Sequence, residues 1–173
     1  RYRESMFRLS VSKRLSSMWS LGVSVQYALL QSEIFEQDGQ RLSADVGVAL
    51  RPTDKWLLGL SVLHFPAVSI GSDETNQVHM TPRMILLGAR YMMDEGLELS
   101  AEAEYRQYEP FLFSVGAEYT PFANFQLRAG VKSSPFSPSL GVSYSFIGLT
   151  LDTALYYHPA LGASVGIGLA YSF

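Results

Sequence analysis

The chain has 173 residues, enough for one domain, with a net charge of −3 and no cysteine. That charge offers no footprint for nucleic acid, and the lack of thiols removes both a disulfide framework and a thiolate metal site. Charged residues are 17% against a usual ~25%, aromatics are 13% and mean hydropathy is only +0.09, a combination that fits a protein apolar outside and polar inside.

From the N-terminus onward the pattern alternates. Phe7, Leu9 and Val11 fall on one face and Arg8, Ser10 and Ser12 on the other. Side chains alternate across a strand, so this is a period-2 segment with one apolar face. Trp19, Leu21, Val23, Val25, Tyr27 and Leu29 continue it, interleaved with Ser20, Gly22, Ser24, Gln26 and Ala28. After the polar stretch EQDGQ come Leu42, Ala44, Val46, Val48 and Leu50, opposed by Ser43, Asp45, Gly47, Ala49 and Arg51. Pro52-Thr53-Asp54 breaks the chain. Trp56, Leu58, Leu60 and Val62 follow, with Leu57 and Leu63 on the opposite face.

Residues 66–81 are mostly polar without periodicity and read as the longest loop. Ile85, Leu87, Ala89 and Tyr91 resume the pattern against Gly88 and Arg90. The turn Asp94-Glu95-Gly96 leads to Leu97, Leu99, Ala101, Ala103 and Tyr105, opposed by Glu98, Ser100, Glu102, Glu104 and Arg106. Phe111, Phe113, Val115, Ala117 and Tyr119 oppose Ser114, Gly116 and Glu118. Phe125, Leu127, Ala129 and Val131 oppose Gln126, Arg128, Gly130 and Lys132. SSPFSPS reads as a loop before Leu140, Val142, Tyr144 and Phe146. A tight turn at Ile147-Gly148 gives Leu149, Leu151, Leu155 and Tyr157, against Thr150, Asp152, Ala154 and Tyr156.

The last segment, Leu161 to Phe173, alternates most cleanly. Leu161, Ala163, Val165, Ile167, Leu169, Tyr171 and Phe173 form one face, and only Gly, Ser and Ala form the other. Its length exceeds the usual 5–6 residues of a soluble strand and suits a tilted bilayer crossing of roughly 9–11. A final strand ending in an aromatic resembles that of an outer-membrane β-barrel, which marks Leu169, Tyr171 and Phe173 as the expected barrel-insertion signal.

About eleven strands result, joined by short links, with no sustained helical periodicity. The expected fold is all-β: an antiparallel up-and-down transmembrane β-barrel. No apolar run reaches ~18 residues, so no transmembrane helix is expected. Aromatics gather at strand ends (Trp19, Trp56, Tyr91, Tyr105, Tyr119, Phe125, Phe146, Tyr157 and Tyr171), as in an interfacial girdle. No second sheet remains to cover eleven apolar faces, so lipid is the expected cover, and backbone polarity in lipid demands closure.

With Phe173 on the periplasmic side, the turns SSMW, PTDK, MDEG, PFAN and FIG are periplasmic. The outer loops are then 34–41, 66–81, 106–110, 132–138 and 157–161. Eleven strands cannot close antiparallel, so at least one more is expected before Arg1. Residues 1–173 are therefore expected to form a single barrel domain, the C-terminal part of a barrel of roughly 12–14 strands. The chain opens RYRES, without a basic-then-apolar leader.

The inward face holds charges of both signs. A lumen cluster of Arg90, Glu98, Glu102, Glu104, Arg106, Glu118, Arg128 and Asp152 is expected, with Arg90–Glu98 and Glu118–Arg128 as cross-strand partners. One reading is a polar conduit or ligand site, with Glu98, Glu102 and Glu104 able to hold a cation through hard oxygens. The other, favoured, is a salt-bridged wall. His64, His79 and His158 lack ligand spacing, and no cofactor or metal is expected. No G-x-S-x-G elbow occurs. His158 with Ser137 or Ser139 is the only imaginable hydrolase pair, so no catalytic residue and no enzyme activity are expected.

DVGVALRPTDKWLLGLSVLHFP (Asp45 to Pro66), RMILLGARY and DEGLEL resemble the PorP/SprF barrels associated with type IX secretion in Bacteroidota. FIGLTLDTALYYHPALGASVGIGLAYSF resembles the PorV/PorQ and FadL-like barrels, in which a Leu-Asp strand and an "LG" turn precede the final strand. The resemblance implies a non-enzymatic component of a secretion or surface-attachment assembly in the bacterial outer membrane. The alternative is a FadL-like transporter or porin for hydrophobic or small solutes. Implied partners are outer-membrane lipid and lipopolysaccharide, the barrel-assembly machinery and other envelope or secretion proteins, with no nucleic acid.

Overall fold

The computed structural model describes residues 2–32, 37–70, 82–93 and 96–172. Nearly all of them are strand: β1 (Tyr2–Arg14), β2 (Trp19–Ser32), β3 (Gln37–Thr53), β4 (Trp56–Leu63), β5 (Ala67–Ile70), β6 (Met84–Met92), β7 (Leu97–Arg106), β8 (Leu112–Phe122), β9 (Phe125–Ser133), β10 (Phe136–Phe146), β11 (Leu149–His158) and β12 (Gly162–Tyr171). Hydrogen bonding follows chain order, β1-β2-β3-β4-β6-β7-β8-β9-β10-β11-β12, with β5 also on β3. This is the up-and-down antiparallel meander expected from the alternation.

Twelve strands occupy eleven ladder positions, because β4 and β5 both pair with β3. The break between them spans His64–Pro66. His64 adopts φ 58°, a left-handed backbone that interrupts the pleat. The backbone bonds Phe65 N–H to Ala44 O (2.8 Å) and Ala44 N–H to Pro66 O (3.0 Å) bridge the break, after which Ala67 and Val68 stand opposite Ser43 and Leu42.

Several expected loops are shorter than the apolar pattern implied. Residues 67–70 of the 66–81 loop are strand, and 71–81 lie outside the described residues. The 34–41 loop gives 37–41 to β3, since pairing reaches Ser32 opposite Gln37; residues 33–36 lie outside the described set. In SSPFSPS, Phe136 already pairs with Ser133, leaving Ser134-Pro135 as the turn. Pro121 and Phe122 belong to β8, past an irregularity in register between Tyr119 and Phe122. Ladder bonds come from the backbone, so a strand can run on where side chains stop alternating.

By packing, the chain divides into two compact units: residues 1–51, 59–86 and 105–109 form one, and 52–58, 87–104 and 110–173 the other. In both, burial is inverted relative to a water-soluble protein. Among the described residues the buried side chains are Gln26, Ser43, Asp45, Glu104, Ser137 and Ser143, with Leu112 the one large apolar residue among them. The apolar face is outside: on β12, Val165, Ile167 and Leu169 are 71%, 76% and 70% exposed. Such a surface is unfavourable in water and at home in hydrocarbon. Trp56 and Tyr91, at the short-turn ends of β4 and β6, rest against each other with ring centroids 4.7 Å apart.

Candidate functional site: a charge network on the polar face

In the first unit the polar face centres on Asp45, which is 5% exposed on β3. Register sets Gln26 opposite both Arg8 and Ser43, one residue step along the polar face from Asp45. Arg8 donates from Nε and Nη2 to Gln26 Oε1 at 3.2 and 2.6 Å, and its Nη2 lies 3.6 Å from Asp45 Oδ2. The other carboxylate oxygen, Oδ1, accepts the backbone N–H of His64 at 2.9 Å. Asp45 therefore ties the β4–β5 break to the face of β3. The His64 ring faces Pro82 O through Nδ1 at 3.2 Å; a carbonyl only accepts, so Nδ1 carries the proton.

In the second unit one chain of contacts crosses neighbouring strands at a single level. Arg90 Nη1 on β6 lies 3.3 Å from Glu98 Oε2 on β7. Glu98 stands opposite Glu118 of β8. Glu118 Oε2 accepts Arg128 Nε of β9 at 2.8 Å. Arg128 also donates from Nη2 to Gln126 Oε1 at 2.6 Å and from Nη1 to Asp152 Oδ1 of β11 at 3.5 Å. Asp152 in turn accepts the Ser143 hydroxyl of β10. Glu98 and Glu118 alone would repel as like charges directly opposite. Arg90 on one side and Arg128 on the other neutralise them. The paired groups are one-third to one-half exposed, so each bridge contributes at most about 1 kcal/mol. What the network fixes is the position of its charges.

Beside it the wall is bare. A recess of about 460 Å³ lies over Gly130, Gly141, Gly166 and Gly168, between Arg128 and Asp152. A smaller one of about 180 Å³ lies between Arg90, Glu98, Glu118 and Arg128. A Cβ placed on Gly166 would meet nothing within 4 Å.

Of the expected cluster, the structure brings together Arg90, Glu98, Glu118, Arg128 and Asp152. Glu102, Glu104 and Arg106 lie farther along β7: Glu102 opposite Ser114, Glu104 buried opposite Leu112, and Arg106 3.7 Å from Glu109. Glu98 and Glu104 are six residues apart on one strand, roughly 20 Å. The three glutamates therefore cannot converge on one cation, and Glu98 already faces Arg90. Ser143, Gln126 and Gly141 complete the network without having been singled out by sequence; their shared inward parity was the available signal.

The imagined hydrolase pair is not formed. Ser137 donates to Pro135 O at 2.9 Å and Ser139 to Gly130 O at 3.4 Å, while His158 Nδ1 accepts the N–H groups of Ala160 and Leu161 and so holds the β11–β12 turn. Leu169 and Tyr171 stand on the outer face of β12, opposite Leu151 and Leu149; Phe173 lies outside the described residues.

No protein-family model matches the sequence, and no curated protein matches it. Solved structures do. The toluene transporter TbuX of Ralstonia pickettii superposes with a TM-score of 0.66 at 15% identity, over 98% of this chain and 67% of its own. A mutant porin of Rh. blastica gives 0.58 at 11% identity, over 99% and 81%. The KdgM porin gives 0.54 at 12% identity, over 99% and 96%. At these identities the likeness concerns the fold alone: an antiparallel up-and-down meander like that of these porins and of the toluene transporter, its sheet order running open from β1 at one end to β12 at the other. That fold, with an apolar exterior on strands of bilayer-crossing length, is that of a bacterial outer-membrane protein.

Proposed function

We propose that the protein is a conduit of the outer membrane, a porin or FadL-like transporter that admits small solutes along the polar face of its strands. The observation that carries this reading is the inverted burial, with charged and hydroxyl side chains buried and aliphatic side chains exposed, beside a recess on the polar face between Arg128 and Asp152. The similar structures named above are described as porins and a toluene transporter, which supports the same reading. Along the network two bases, Arg90 and Arg128, face three acids, Glu98, Glu118 and Asp152, so the charges largely offset and leave one negative charge over. The conduit therefore sorts by size more than by sign of charge, and small neutral or zwitterionic solutes suit it best.

The alternative, a non-enzymatic component of a type IX-like assembly, rests on the resemblance of Asp45 to Pro66, RMILLGARY, DEGLEL and the C-terminal stretch to such barrels, and the similar structures named above do not speak for it. The test is reconstitution. Folded protein in a planar bilayer should give discrete conductance steps, and proteoliposomes should swell in small sugars or amino acids. Electrically silent bilayers, together with stoichiometric co-purification of envelope proteins from native membranes, would replace the conduit by the assembly role.

A further inference from the structure

We propose that Gly141 is a positioning residue for Arg128. Its missing side chain lets the guanidinium lie flat across β10, against the wall and out of the conduit. Arg128 sits on β9 and its partner Asp152 on β11, two strands away. Adjacent strands are about 4.8 Å apart, so the side chain must cross roughly 10 Å of wall. The residue of β10 directly opposite Arg128 is Gly141, which is in turn opposite Ala154 of β11. A Cβ at Gly141 would lie 3.5 Å from Arg128 Cβ, 4.0 Å from its Cδ and 3.5 Å from Thr153 O. One methyl group therefore fits in ordinary contact, and anything longer occupies the path of the guanidinium. Once displaced from that path, Arg128 loses Asp152 and keeps only the bonds to Glu118 and Gln126 on its other side, which leaves its Nη1 edge open to solvent.

The consequence for permeation rests on the conduit reading; the positioning itself does not. An arginine-specific dicarbonyl such as phenylglyoxal, with peptide mapping of protein folded in detergent, reports the positioning. Gly141→Leu should label Arg128 several-fold faster than wild type, while Gly141→Ala should label at the wild-type rate. Gly166→Leu adds equal bulk at an inward glycine with open space around it and should also leave the rate unchanged. If Gly141→Leu fails to fold, Gly141→Thr carries the same readout, and Arg128→Ala in the Gly141→Leu background should recover folding. Slow labelling of Arg128 in Gly141→Leu, or equal acceleration by Gly166→Leu, overturns the proposal. In bilayers Gly141→Leu should shift the reversal potential toward anions, and Arg128→Ala should abolish that shift. A wild-type protein that does not conduct removes the conduit reading, and the labelling result still decides the role of Gly141.

Discussion

Single residues carry conformations or contacts that the rest of the wall must support. Ile147 and Gly148 link β10 to β11 with φ 48° and 76°, the two-residue turn whose positive angles match strand twist. Glycine adopts this freely, whereas a β-branched residue is strained there. Ile147→Asn should therefore raise the unfolding free energy by about 1 kcal/mol, read as a higher urea midpoint in detergent; a lower midpoint would show that the exposed isoleucine contributes more through its surroundings than it costs in the turn. Asp45 is the reverse case, a buried carboxylate whose two oxygens serve Arg8 and the His64 N–H. Asp45→Ala strands that donor and should lower stability by about 1–3 kcal/mol. Asp45→Asn keeps a carbonyl oxygen for it and should retain most of the difference in the same denaturation assay.

At the scale of the element, alternation made nearly every strand legible, because each has one aliphatic face and one small or polar face. The β4–β5 break was not legible. Nothing in HFPAVSI alternates, and only the shared partner β3 shows that Ala67–Ile70 resumes a ladder. The extension of β3 back to Gln37 was hidden for the same reason: its bonds are backbone bonds above any apolar band. The short turns between β6, β7, β8 and β9 made Arg90–Glu98 and Glu118–Arg128 readable as neighbours. The reach of Arg128 to Asp152 was not readable, since it depends on an empty position on the strand between them. The faces of β12 yield a sharp prediction. Ile167→Arg drives a charge into hydrocarbon and should cost roughly 2–4 kcal/mol, lost as heat-modifiable folded protein on a gel. Gly166→Arg points into the open recess and should be much milder. The opposite order would invert the faces, because one residue of slip exchanges them.

For the whole molecule, the inverted distribution of side chains fits a lipid environment and supports the proposed conduit. Two bases set among three acids along one wall predict weak charge selectivity: under a salt gradient the wild-type reversal potential should lie close to zero, and Glu118→Gln should move it toward anions. A strongly cation- or anion-selective wild type would contradict the mutual neutralisation of the network. The claim beneath all of this is that the small polar face meets water while the aliphatic face meets lipid. The chain has no cysteine, so single cysteines can report it directly. In native membranes or proteoliposomes, Ser164→Cys, Gly166→Cys and Gly168→Cys should react with a charged, water-borne methanethiosulfonate reagent, while Val165→Cys, Ile167→Cys and Leu169→Cys should stay unreacted. Uniform reactivity, or reaction at 165, 167 and 169 with protection at 164, 166 and 168, would contradict the account.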